Sequence, residues 1–437
     1  MTTRDASYDH HADPLAGATR CQRDLYLYWH VARITGGLPL TTRGYVTRPA
    51  LRRIRARLFA HDATPETSQQ QLDAPEAEDA SLFFLRRLLE RLGLLRAAPD
   101  KLRLLAADHA DMARYVALPL SERLRICARL WVAGGWWPDR LDPRAEPPRL
   151  MVPAPPRVAL ARRRLLHELA AADPHTRLRI PAPSTPQPGA TSRRKASIAR
   201  HAAPPRALAV PPNESESQRA ALLGPLAWLG FVTLEAPPAA GGDQPTRLDP
   251  VAYHATSAAA ILREPSDGNT PTGGDAHGVV LAERHGRVII QSNFTIVAYP
   301  PLTAPELLLL DTCANEESFE RAASYQLTRA SIVQARQYGY DSVDLRQQLE
   351  LLSDSPLPTN VSTTLADWAR QAERVRLSHN VTLLEVTNAA LLDALLADRA
   401  AARWIERRLT PTAALLTEEG VATTRAWLLR RGELPAS

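Results

Sequence analysis

The 437-residue chain reads as an α+β protein, predominantly helical, on three observations. Amphipathic helical runs such as Leu82, Leu85, Leu88, Leu89 and Leu92 recur along it. Short alternating strands closed by Gly or Pro turns stand between them, as at Val288 to Tyr299. A Pro/Ser/Ala/Arg-rich stretch over 181–216 separates two patterned regions, and with 45% hydrophobic residues a chain of this length predicts two to four domains with real cores.

In chain order, the first residues, MTTRDASYDHHADP, hold no apolar stretch of the kind that directs secretion. Leu25, Leu27, Trp29 and Val31 open an apolar segment, and LPLTTRGYVTRPALRRIRARL follows. A helix capped by Ser81 and stopped by Gly93 leads into LLRAAPDKLRLL, two strands around Pro99-Asp100. Helix, short helix, helix and hairpin is the order a winged helix needs, so a winged-helix-like domain is expected over 18–106. Leu51, Ile54 and Leu58 share one helical face and Arg48, Arg52 and Arg55 lie near another, which predicts outward guanidiniums.

Residues 107–180 form a helical region, with SERLRICARLWVAGGWW read as helix and Trp131, Trp136 and Trp137 as packing residues. A basic helix is expected over Val158 to Leu169. Residues 181–216 read as a flexible basic linker. The run RAALLGPLAWLGFVTLE repeats the cadence of RRLLERLGLLR, so 217–262 reads as a partial second winged-helix-like unit, with a further linker over 263–277.

Residues 278–437 are the best-patterned part. Val279 to Leu281, Val288 to Gln291 and Asn293 to Tyr299 read as strands; Thr328 caps a helix stopped near Gly339, and Asp341 opens another. Thr363 or Thr364 is expected to cap a third, carrying Leu365 and Trp368, before a hairpin of Val375 to Leu377 and Thr382 to Val386. The runs IIQSNFTIVAYPP, YQLTRASI and PLPTNVSTTLADWA, followed by VRL, resemble the N-terminal domain of XPB-type DNA repair helicases as found in bacterial helicase-associated proteins. The resemblance covers about a third of the chain and implies accessory work in DNA repair or transcription.

Charge is uneven along the chain. Residues 1–60 carry ten arginines against four acids, 157–207 eleven basic residues against two, and 278–437 sixteen against nineteen. A polyanion is therefore expected on the N-terminal and middle parts, and the candidate DNA contacts are Thr42, Arg43, Arg48, Arg52, Arg53, Arg55, Arg193, Arg194 and Lys195. Arginine suits the task, because its planar fork pairs with phosphate and with the guanine edge.

Cys21, Cys127 and Cys313 are too widely spaced for a metal knuckle or a disulfide framework, which predicts a reduced, cytoplasmic or nucleoid-associated chain; no metal or other cofactor is expected. The lysines, Lys101 and Lys195, follow Asp100 and Arg194, so the Gly-Lys pair of a phosphate-binding loop does not occur. Asp9, His10 and His11 read as a disordered N-terminus and not as a metal site; Asp341 and Asp344 read as carboxylates at a helix start, where they favour the dipole, and not as a nuclease-like cluster with Asp354. The expected function is that of a non-catalytic, DNA-binding or helicase-associated accessory protein without its own ATPase motor. Its expected partners are double-stranded DNA and a helicase or other repair or transcription protein, with no membrane. The alternatives are a protein-interaction scaffold with no direct DNA contact, or an accessory subunit of a separately encoded helicase.

Overall fold

In the computed structural model the described residues are 15–59, 73–99, 101–138, 147–174, 176–181, 214–235, 252–263, 286–372, 381–417 and 419–433. They form an α+β protein in which every paired strand runs antiparallel to its neighbour. Chain contacts divide it into two compact units, 1–369 and 370–437.

The first module of the larger unit contains α1 (Ala16–Ile34), β1 (Leu38–Pro39), α2 (Arg48–Phe59), α3 (Ala80–Arg91), β2 (Leu95–Ala98) and β3 (Lys101–Ala107). Its sheet has the order β1-β3-β2. The N-cap of α3 is Asp79, not Ser81 as expected: Asp79 accepts the Leu82 N–H at 3.1 Å and the Ser81 hydroxyl at 2.8 Å. The carboxylate reaches the free N–H groups of the first turn from outside it, whereas Ser81 is already helical. At the far end the Leu94 N–H returns to Leu89 O while Gly93 adopts φ +73°, as a helix stop requires.

Two helices follow, α4 (His109–Val116) and α5 (Leu120–Ala133), and then α6 (Pro156–Ala171). The strand β4 (Arg177–Arg179) lies in the stretch read from sequence as helical, yet it pairs with β6 (Ala252–Ala255), which also pairs with β5 (Val232–Glu235). Between them α7 (Glu214–Ala221) continues into a π turn over Leu222–Leu226, so helix begins at Glu214, inside the expected linker. The order β4-β6-β5 repeats the first-third-second order of the opening sheet. Trp131, Trp136 and Trp137 are buried; Trp136 and Trp137 both pack against Phe84, and Trp137 also meets Trp228. The packing expectation for these tryptophans therefore holds.

A four-stranded sheet of order β7-β8-β10-β9 comes next, from β7 (Arg287–Ile290), β8 (Thr295–Tyr299), β9 (Asn315–Phe319) and β10 (Ala323–Gln326). The expected strand at Val279 to Leu281 lies outside the described residues. Within the sheet's sequence sits α8 (Ala304–Cys313), buried on nearly all sides and opened by a capping box of Thr303 and Glu306. Then α9 (Arg329–Gln337) is capped by Thr328 and α10 (Ser342–Ser353) by Asp341, as expected. The next helix, α11 (Thr359–Ala372), starts earlier than expected: Thr363 is internal, and its hydroxyl bonds back to Thr359 O at 2.8 Å instead of capping.

The smaller unit has β11 (Thr382–Glu385), α12 (Ala389–Ala397), α13 (Arg399–Ala402), β12 (Ile405–Thr410), β13 (Ala413–Leu416) and α14 (Gly420–Arg430). The described partner of β11 is β13, and the order β11-β13-β12 again places the third strand centrally. Val375 to Leu377, the other half of the expected hairpin, lie outside the described residues. Leu392, Leu395, Ala401, Ala414, Trp427 and Leu428 form this unit's own core. No helix among the described residues is long and apolar enough to cross a membrane.

Candidate nucleic-acid interface

The connection from β1 to α2 makes a tight turn: Gly44 N–H bonds Thr41 O, Thr41 N–H bonds Tyr45 O, and Gly44 holds φ +82°. Only glycine takes that conformation without strain, so the TTRGY run projects Thr42 and Arg43 as a tip. With Thr41, Tyr45, Val46, Arg48 and the Pro75–Glu78 turn, these residues line an open groove of about 450 Å³. Thr42, Arg43, Arg48 and Glu78 are exposed.

The floor is a closed electrostatic circuit. Glu76 is buried; it accepts the Val46 N–H at 2.7 Å and pairs with Arg86, which also holds Glu90. Burial pushes the Glu76 carboxyl upward, against the Arg86 guanidinium and the Val46 N–H that hold it down. Because its charge faces Arg86, Glu76 does not compete for a ligand, and the groove presents two arginines against the single rim acid Glu78.

The other sequence candidates divide. Arg53 is exposed on α2. Arg52 is exposed and ion-paired to Asp73. Arg55 does not face outward as expected: it is 1% exposed, with its guanidinium on Asp79 at 3.0 Å and Ala74 O at 2.6 Å. Its position on the helix turns it toward the start of α3, where it secures the cap carboxylate. Arg193, Arg194 and Lys195 lie outside the described residues. The structure thus gathers Thr42, Arg43 and Arg48 around one groove and removes Arg55 from it.

A second polar constellation had no sequence signal. On α1 the Tyr26 hydroxyl donates to Asp311 on α8 at 2.6 Å, and His30 Nδ1 lies 2.9 Å from the same carboxylate. Burial raises the Asp311 carboxyl, but His30, Tyr26 and Arg57 outweigh it and hold it below the ordinary range. Potential ligand atoms of His30, Asp311 and Glu316 lie within 4.8 Å of one another, which is metal-site spacing. Arg57 closes on both oxygens of Glu316 and stacks over Phe319 at 3.8 Å, so the third ligand position is already held by a guanidinium. The arrangement is that of a joint between α1, α2, α8 and β9, buried at His30 and Asp311 and exposed at Glu316.

Neighbouring residues extend the joint. His109 Nε2 is 3.0 Å from the Thr312 hydroxyl, and its ring stacks on Tyr338 at 3.7 Å. Burial, with Arg33 adding, lowers the His109 pKa to about 4 against the smaller pull of Asp108. Asp341 accepts the N–H groups of Val343 and Asp344, and Asp344 lies in the first turn of the same helix, so both stand at the helix start as expected, while Asp354 closes its far end.

Residues 288–410 match the helicase conserved C-terminal domain family, from β7 through most of the smaller unit's sheet. This part of the chain is helicase-related. No curated protein matches the chain.

Proposed function

We propose that the chain is a helicase-associated accessory protein that contacts duplex DNA and does not run an ATPase motor of its own. The observation that carries the helicase association is the family match over 288–410. The XPB-like runs IIQSNFTIVAYPP and YQLTRASI fall inside it as β7, β8, β10 and the start of α9, which supports the finer resemblance. The repeated first-third-second strand order, each time with helix between the first two strands, supports winged-helix-like modules.

Two features support a role without a motor. Nucleotide-driven motors bind phosphate at a helix N-terminus beyond a parallel strand, whereas every described strand pair here is antiparallel. No lysine follows a glycine anywhere in the sequence.

For DNA contact, the groove of Thr42, Arg43 and Arg48 is the favoured surface of the first module, because α3 is buried from Leu82 to Leu89. A helix enclosed in this way is not offered to a major groove, unlike the recognition helix of a helix-turn-helix protein. That same burial favours a second reading, in which the module serves as a protein-binding scaffold. Charge reversal at Arg43 and Arg48 in the full chain separates the two. If the groove grips DNA, anisotropy of a labelled duplex should show affinity lowered at least about tenfold and the salt slope reduced by roughly two. Unaltered binding would remove the groove from the interface, and absence of duplex binding by the unmodified chain would leave the scaffold.

A further inference from the structure

We infer that the solvent face of α6 is a second phosphate-contacting surface for duplex DNA, formed by Arg157, Arg163 and Arg164. The inference rests on the DNA-contact reading for its ligand class but uses a different part of the chain. In a helix of 3.6 residues per turn, Arg157, Leu160, Arg164 and His167 fall along one stripe, with Arg163 beside it. All five are exposed, while Arg162, Leu165 and Leu169 on the other side are buried. From Arg157 to His167 the stripe runs about 15 Å. That is long enough to follow several phosphates, which a duplex presents at about one charge per 1.7 Å of its axis.

These guanidiniums are also available, which several other surface arginines are not. On α5, Arg125 and Arg129 both lean on Glu122, at 3.7 and 3.0 Å. Arg177 is held by Glu235 and Arg408 by Asp393, each at 2.6 Å. Arg157, Arg163 and Arg164 have no carboxylate partner among the described residues. The one acid of α6, Glu168, lies a turn beyond Arg164 toward the helix end. An unpaired arginine exchanges water and counterions for phosphate without first breaking an ion pair, and its planar fork matches a phosphate's oxygens.

The face is also held firmly. Arg162 sends one nitrogen to Trp131 O at 2.7 Å and Gly134 O at 2.9 Å, and another to Trp137 O at 3.1 Å. These bonds tie α6 to the carbonyls at the end of α5, so its outer arginines project from a fixed platform. A preorganised surface loses less entropy on binding.

The test uses the full chain and a fluorescein-labelled duplex of about 25 base pairs, titrated by anisotropy across a salt series. Three proteins are compared: unmodified, R157A/R163A/R164A, and R125A/R129A as a control that removes already paired charges. The expected result is a salt slope shallower by roughly two to three in the triple variant, about 0.9 for each phosphate no longer neutralised, with affinity down tenfold or more. The control should keep its slope, and thermal melting should show the triple variant folded, since the altered side chains are exposed. Binding by the unmodified chain with an unchanged slope in the triple variant would overturn the α6 assignment and leave the DNA-contact reading standing. Equal losses in the triple variant and the control would reduce the effect to bulk charge and also overturn it. Failure of the unmodified chain to bind duplex even at low salt would overturn both.

Discussion

His109 shows how a single residue reports on the joint around α8. Its ring is covered by Tyr338 and directed at Thr312, so protonation in the folded chain is displaced from the ordinary value of 6.5 to about 4. An unfolded chain takes up the proton first, so stability is unaffected above pH 6.5 and declines as pH falls from 6.5 toward 4. Between pH 7 and pH 5 the expected loss from this residue is about 1–2 kcal/mol, which urea unfolding of the unmodified chain against His109→Gln should reveal as a smaller pH dependence in the variant. Equal pH dependence in both would mean that the ring is hydrated. Nothing in the sequence around His109 announces this, because its partners are some two hundred residues away. The same holds for Tyr26 and Asp311, separated by 285 positions, and for Arg55, whose inward turn depends on where Asp79 lies. By contrast, Thr328 and Asp341 were legible as caps, because capping is settled within three residues.

Among elements, legibility followed periodicity. The amphipathic α3 and the hairpin β2–β3 announce themselves through spacing and the Pro99 turn, whereas α8 is buried around nearly its whole circumference and has no stripe to find. The shared Leu-Gly cadence was legible, but its two glycines do different work. Gly93 ends α3 at φ +73°, with only the Arg96 side chain near a would-be Cβ, at 3.4 Å. Gly230 has φ +77° and also lies against α1, so that a Cβ would stand 2.1 Å from Ala18 N and 2.4 Å from Gly17 C. Gly93→Ala is therefore expected to cost about 1 kcal/mol, the ordinary left-handed penalty. Gly230→Ala should cost about 3 kcal/mol or more, because backbone and not a flexible side chain must yield. Chemical denaturation of the two variants measures the difference, and equal costs would show that the contact between Gly230 and α1 is not tight.

At the scale of the whole molecule, the division into units does not follow the domain read from sequence. Residues 278–437, read from sequence as one domain, contribute to both compact units, and the helicase-related stretch 288–410 also spans the division at 369. Local pattern carries no sign of that division, because a unit is defined by which apolar residues share a core, and this depends on long-range contacts. In the smaller unit that core is short, and Trp427 anchors it while donating its indole N–H to Asp398 at 2.7 Å. Asp398 in turn caps α13 through Ala400 N–H at 2.9 Å, so the tryptophan links the core to the start of that helix. Trp427→Ala removes the largest buried side chain of the unit and leaves Asp398 with one partner fewer, an expected loss of about 3–5 kcal/mol. A small core does not survive a loss on that scale. If the two units fold independently, calorimetry of the full chain should resolve two transitions, and this substitution should abolish the one from 370–437 while leaving the other in place. A single transition that moves as a whole would show instead that the helicase-related region unfolds as one cooperative body, with its core shared across position 369.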